Sequence, residues 1–262
     1  AYVLDHVGPE QRGEALGRVG SAIGVGFVLG PTLGGLLTTA SWPELPFWVA
    51  AALSLGNWLF ACLWLPEHRP PVRELVRERP LRSRRSAVLG LLLLNLGVFV
   101  AFAGMESTFA LLLQARLGWG ALQSGLLFAL IGVTIVLSQG LMVGRTIARL
   151  GEPTTLRLGL IVLGVGLAGL AIADSGIVMT MAACVVALGN GLISPTLHAL
   201  LGERSDPGEQ GVNLGLASSA ASLGRVLGPA GAGLVFERCG PGGPALIGAV
   251  IVVLLAARRR RA

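Results

Sequence analysis

Long apolar stretches alternate along the chain with short polar ones, and the apolar stretches are long enough to cross a lipid bilayer. At 1.5 Å per residue, a helix crosses a hydrocarbon core of about 30 Å in roughly 20 residues. Eight stretches come close to that length: Val19–Thr38, Pro46–Leu65, Ala87–Leu113, Ala121–Val143, Leu156–Ala173, Ile177–Leu200, Leu214–Phe236 and Gly240–Ala257. The last is the weakest, because it opens on Gly240, Pro241, Gly242, Gly243 and Pro244. Lipid offers no partner to a bare backbone, and no ten-residue alternation marks a barrel, so each stretch is predicted to be a helix.

Composition agrees. Of 262 residues, 53% are hydrophobic and 13% charged, and the mean hydropathy is +0.74. A soluble domain carries about 25% charge, so this chain cannot coat a water-facing surface. The basic residues are all arginine, and they accumulate in alternate connections. Seventeen fall on one side of the predicted membrane, only Arg116 and Arg238 on the other, and Arg225 inside a span. This bias sets the arginine-rich side, and with it both chain ends, in the cytoplasm. It also argues against nucleic acid as a partner, because no folded basic face results. Cys62, Cys184 and Cys239 lie far apart, His6, His68 and His198 lack metal-site spacing, and no phosphate loop or nucleophile elbow occurs. No metal, cofactor or enzymatic activity is expected. The chain starts at Ala1 with no signal-like segment, which suggests that its natural N-terminus lies upstream.

An internal repeat organises the spans. Gly13–Leu37 aligns with Gly211–Val235 at an offset of 198 residues, with twelve of 25 positions identical and no gap. The matches include Gly26 with Gly224, Gly30 with Gly228, Pro31 with Pro229 and Gly35 with Gly233. The first span thus corresponds to the seventh. Internal repeats of this kind mark secondary transporters. Six spans follow the Arg- and Pro-rich segment 66–86, and only two precede it. The expectation is a twelve-helix plan with about eight helices present. On that plan residues 1–65 hold the end of helix four and helices five and six, residues 66–86 form a cytoplasmic linker, and residues 87–262 form a six-helix bundle.

The segment Gly26-Phe-Val-Leu-Gly30-Pro31-Thr-Leu-Gly34-Gly35 resembles the fifth-helix motif of major facilitator superfamily antiporters. Asp5, Pro9, Glu10, Arg12 and Gly13 resemble the loop before that helix. Gly144, Arg145, Arg149 and Gly151 resemble the second copy of the family's loop motif, with Ala148 where the family often has Asp. The resemblance covers essentially the whole chain. It implies an all-α helical bundle in a bacterial cytoplasmic membrane, with small-molecule efflux driven by proton entry. It also implies that the glycine face of helix five packs across the interface of two bundles. A sugar or metabolite carrier of the same superfamily is the alternative, as is a piece inactive on its own.

Four observations nominate residues. Gly26, Gly30 and Gly34 recur every four positions and make a smooth face for a close helix neighbour, repeated by Gly224, Gly228, Pro229 and Gly233. Glu106 is an acidic residue well inside an apolar stretch. Burying a carboxylate costs several kcal/mol unless it is protonated or paired, so Glu106 is the candidate proton carrier, against a bland bond to nearby hydroxyls or Arg116. Arg225, replacing Phe27 of the repeat, must face a cavity or snorkel to the interface, and snorkelling is slightly favoured. Asn190, Gln114 and Asn95 are candidates for polar contact with substrate, helix-to-helix bonding being the alternative.

Overall fold

The computed structural model describes residues 25–26, 29–30, 32–38, 41–64, 82–206 and 209–257. Pro31, the candidate loop residues Asp5 to Gly13, most of the first predicted span, linker residues 66–81 and the terminal arginines lie outside them. The described helices are α1 (Leu45–Trp64), α2 (Arg82–Leu117), α3 (Ala121–Leu137), α4 (Val143–Leu150), α5 (Glu152–Ile172), α6 (Gly176–Arg204), α7 (Gln210–Cys239) and α8 (Gly243–Ala257). A π-helical turn, Ser138–Met142, joins α3 to α4 without a break, and residues 32–37 are helical ahead of α1. The chain is an all-α membrane protein. Five of these helical runs are long and apolar enough to cross a bilayer: α1, most of α2, the α3–α4 run, α5 and α6. The α7 helix has 30 residues but dilutes its apolar face with serine, glycine and Arg225, while α8 has only 15.

Three predicted boundaries move. The segment expected as linker up to residue 86 is helical from Arg82, since nothing from there on breaks a helix. The segment Gly144 to Leu150, expected as a loop, continues the helix begun at Ala121. Arginine, threonine, isoleucine and alanine are all tolerated in a helix, and the chain first turns at Gly151, whose φ of 74° is open to glycine. Pro153 then sits in the first turn of α5, where a missing N–H costs nothing. The final span starts at Gly243 rather than Gly240, because Gly240 adopts a φ of 82° and closes α7.

Cα proximity groups the chain into two units, Ala1–Leu75 with Ala121–Gly132, and Val76–Gly120 with Val133–Ala262. In the first unit, α1 buries no residue, and Trp48, Trp58 and Trp64 are exposed. A side chain at Gly35 would strike the start of α3, 2.8 Å from the Ala121 carbonyl and 3.2 Å from the Gly125 Cα.

The second unit is built on two tight helix pairs. The α5 and α6 helices run antiparallel along glycines: a Cβ at Gly166 would lie 2.6 Å from the Val186 nitrogen, one at Gly159 2.9 Å from Ile193, and Gly189 abuts the Leu163 backbone. The α2 and α7 helices run parallel. A Cβ at Gly228 would lie 2.6 Å from the Val100 carbonyl and 2.8 Å from the Gly104 nitrogen, and one at Gly224 would lie 3.0 Å from the Leu96 carbonyl. Lipid supplies no hydrophobic drive between helices, so such small-residue seams supply the association. The α8 helix packs against both α5 and α2, through Gly164–Val253 and Gly248–Ala101 among others. Fully buried Leu91, Leu113, Leu160, Leu163 and Leu167 fill the space between. Where α2 ends, Arg116 donates to the Ala173 and Ala171 carbonyls at 2.7 Å each, and its guanidinium lies 3.7 Å from Asp174. A cation at the negative end of α5 satisfies carbonyls the helix leaves bare.

Substituting Gly228→Val should destabilise the protein by about 1–3 kcal/mol, since backbone atoms cannot yield to the added side chain. Gly231→Ala on the same helix meets nothing within 4 Å and should leave the melting midpoint in detergent unchanged.

Candidate functional site

The α2–α7 seam decides which side chains of the second unit meet at mid-span. The buried residues of α7 are Asn213, Ala217, Ala221, Gly224, Gly228 and Ala232, a single narrow stripe of small side chains. At 100° per residue, Ser218, Ser222, Arg225 and Pro229 fall on an adjoining stripe, while Leu216, Leu223, Leu227 and Leu234 take the far face. The helix therefore has three sides: a packing edge, a polar edge and a lipid-like face. Arg225 stands on the polar edge, with its guanidinium carbon 4.7 Å from the centroid of the Phe99 ring on α2.

That position bears on the expectation of snorkelling. Arg225 lies fifteen residues after Gln210 and fourteen before Cys239, about 22 Å from either end of a straight helix. An arginine side chain cannot reach that far. Its charge lies near the middle of α7, beside an aromatic face that attracts cations. Glu106 lies two turns beyond Phe99 on α2, half-buried, and within the electrostatic reach of Arg225. The two make no direct ion pair. Arg116, the alternative partner for Glu106, is held by the end of α5.

The other candidates separate. Asn95 is 5% exposed, and its side-chain amide donates to the Ala217 carbonyl at 2.8 Å. It ties α2 to α7 and is shut off from any cargo, which removes it from the cavity candidates. Gln114 is exposed near the end of α2, and Asn190 is half-buried on α6 between the tightly packed Gly189 and Gly191. No described contact joins either to the Glu106–Arg225 pair. Gly26, Gly30 and Gly34 meet nothing within 4 Å among the described residues, and the close approach falls instead on Gly35, about 100° further round the helix. In the repeat copy, Gly224 and Gly228 pack inside their own unit, Gly233 meets nothing within 4 Å, and Pro229 is half-buried. Gly144 is open, and Arg145 and Arg149 are exposed on α4, where Arg145 donates to the Leu141 carbonyl at 3.3 Å. Gly151 makes the turn that follows.

Sequence reasoning missed Phe99, Ser222 and the capping role of Arg116. Counting from the ends of α7 could have placed Arg225 at mid-span, and helical spacing would then have brought Ser222 alongside it. Among the described residues, no three His, Cys, Asp or Glu side chains are grouped to hold a metal.

A parallel, glycine-seamed helix pair with a charge pair at mid-span suits a carrier built from repeated halves. The family model described as Major Facilitator Superfamily matches residues 1–229. The chain belongs to the major facilitator superfamily. The class C tetracycline resistance protein of Escherichia coli is 28% identical over 237 residues, which are 87% of this chain and 59% of that protein. Multidrug resistance protein 2 of Bacillus subtilis strain 168 is 28% identical over 248 residues, 90% of this chain and 61% of that protein. This superfamily member thus spans about 60% of the length of these curated relatives. Among solved structures, the human organic anion transporter MFSD10 (TETRAN) superposes with a TM-score of 0.75 at 24% identity, covering 97% of this chain and 65% of that one. That likeness confirms the superfamily fold.

Asn95→Leu should lower stability by about 1 kcal/mol through loss of the bond to the Ala217 carbonyl, whereas Gln114→Ala should not. Chemical denaturation of the two variants in the same detergent measures both.

Proposed function

We propose that this chain is the larger part of a proton-coupled exporter of small amphiphilic compounds. The exporter works by alternating access, with Glu106 as the group that takes up and releases the proton. The observation that carries this reading is the mid-span pair itself. Glu106 and Arg225 are ionisable groups held within apolar helices, and such groups are kept there for function rather than for packing. The relatives named for tetracycline and multidrug resistance support cargo export. The arginine bias supports an orientation with both chain ends in the cytoplasm, in a bacterial plasma membrane. On this reading residues 1–65 belong to the N-terminal bundle, 66–81 to the cytoplasmic linker, and the helices from Arg82 onward to the C-terminal bundle. Asn190, Gln114 and the polar edge of α7 then line the path, and the Gly26–Gly35 segment limits leak between bundles. The loop-motif residues Gly144, Arg145, Arg149 and Gly151 shape the cytoplasmic end of that path.

The chemistry is simple. An ionised Glu106 offsets the permanent charge of Arg225, and a protonated one leaves that charge uncompensated. Protonation therefore changes the net charge of the mid-span site by one unit, and a site that alternates between two charges can prefer opposite faces of the membrane in each.

The test is Glu106→Gln in the full-length protein, reconstituted in liposomes with an imposed proton gradient. Gradient-driven export of a fluorescent dye should be lost while dye binding persists. Undiminished gradient-driven export by the variant would refute the assignment.

A further inference from the structure

Glu106 and Arg225 attract one another without touching. No hydrogen bond or ion pair joins either of them to another described residue, whereas Arg116 at the helix end is fully engaged. The Arg225 guanidinium instead rests on the Phe99 ring, with its N–H donors at the rim still open to a partner. Both charges lie on the side of the seam that carries the exposed Ser222 hydroxyl, one turn before Arg225.

Among the described residues of the helices packed on this seam, the pair is also set apart from other charges. The α8 helix, packed on α2, has no ionisable side chain. On α7 the remaining ionisable groups are Glu237, Arg238 and Cys239 at one end, with Glu209 just before the other. On α6 they are Cys184, His198, Glu203 and Arg204, of which the last three lie in its final turns. On α2 itself, Arg116 is held by α5, and the others are the arginines of its first turn. Among the described residues packed on this seam, the charges near the middle of the helices are thus one carboxylate and one guanidinium.

A split pair of this kind discriminates by charge pattern. A singly positive cargo meets its partner in Glu106 but is repelled by Arg225. A singly negative cargo meets Arg225 but is repelled by Glu106. A molecule carrying both charges, spaced to straddle the gap, satisfies each side at once and leaves the site neutral. The geometry points to a zwitterionic amphiphile as the cargo, with its anionic group on Arg225 and Ser222 and its cationic group on Glu106. This rests on the reading of Glu106 as the proton carrier and gives that reading its coupling. A proton on Glu106 neutralises the carboxylate that the cationic end of the cargo requires, so proton and cargo exclude one another. Mutually exclusive occupancy is what exchange of one for the other needs.

The experiment uses the full-length protein and three forms of one fluorescent probe: Nε-dansyl-lysine, its methyl ester and its Nα-acetyl derivative. These are respectively zwitterionic, cationic and anionic around the same dansyl group. Binding is read by dansyl fluorescence on detergent-purified protein that elutes as a single species. The zwitterion should bind at least tenfold more tightly than either congener, and its binding should weaken on acidification. Arg225→Gln should shift the preference to the ester, and Glu106→Gln to the acetyl derivative. The exchanged variant Glu106→Arg with Arg225→Glu should again favour the zwitterion. Binding of the ester or the acetyl form by the unmutated protein as tightly as the zwitterion would overturn the cargo assignment, and so would no zwitterion binding. Neither result touches the proton-carrier reading, which stands or falls on gradient-driven export by Glu106→Gln. Conversely, a clear zwitterion preference with export indifferent to that variant would keep the charge-pattern site and remove the proton.

Discussion

The second unit depends on two helices touching backbone to backbone where Gly104 faces Gly228. In water, burial of apolar surface would pull α2 and α7 together, but among lipid chains that force vanishes and only close packing and polar bonds remain. The sequence answers by stripping α7 of side-chain bulk along one edge, from Ala217 through Gly224 and Gly228 to Ala232. The Asn95 amide bond to Ala217 fixes the register at one end of that edge. Once the register is fixed, the neighbouring residues have no choice of position. Arg225 follows Gly224 and precedes Gly228 by three, so it must emerge beside the seam, where Phe99 lies. The charge is placed by glycines.

The same economy governs the α5–α6 pair. Gly159, Gly166 and Gly169 on one helix meet Gly189, Val186 and Ala182 on the other, and the resulting block is the most thoroughly buried part of the unit. Leu160, Leu163, Leu167 and Leu170 on α5 are all essentially inaccessible. The α8 helix then needs little length, since it serves as a wedge between two pairs that are already formed. Arg116 closes the same end by satisfying two carbonyls that neither lipid nor the helix itself could reach. The two arginines therefore differ in their engagement: Arg116 is consumed by helix-end carbonyls, while Arg225 makes no hydrogen bond or ion pair to a described residue.

Much of this was legible in the sequence, for reasons that differ by feature. Helical character and the long apolar stretches follow from length and hydropathy, because a bilayer imposes its thickness on any chain that crosses it, while the superfamily was legible only through the resemblance of the Gly26–Gly35 and Gly144–Gly151 segments to its motifs. Helix ends were less legible. Hydropathy falls at Arg82 and again at Gly144, but a helix ends where its backbone must turn, at Gly151 and Gly240, not where its surface becomes polar. Spacing of small residues announced a close approach without naming the partner; among the described residues Gly26, Gly30 and Gly34 meet nothing within 4 Å, and a close contact is made by Gly35. Asn95, Asn190 and Gln114 looked alike as intramembrane amides. Only packing separates Asn95, spent on a carbonyl, from the two that remain accessible.

The repeat carries the reasoning one step past the described residues. Gly26, Gly30 and Gly34 match Gly224, Gly228 and Ala232 in register, and the second set is the edge that seats α7 on α2. In the first copy the described close approach is that of Gly35 to the start of α3, from a different side of the helix. What the copies do not share is equally informative. Arg225 stands beside the seam, and the residue that matches it in the first copy of the repeat is Phe27. Packing alone would preserve an apolar residue in both, so the substitution of a permanent charge in one half reflects a demand that packing does not make. The two copies thus keep the small residues of the edge and differ in the residue next to it.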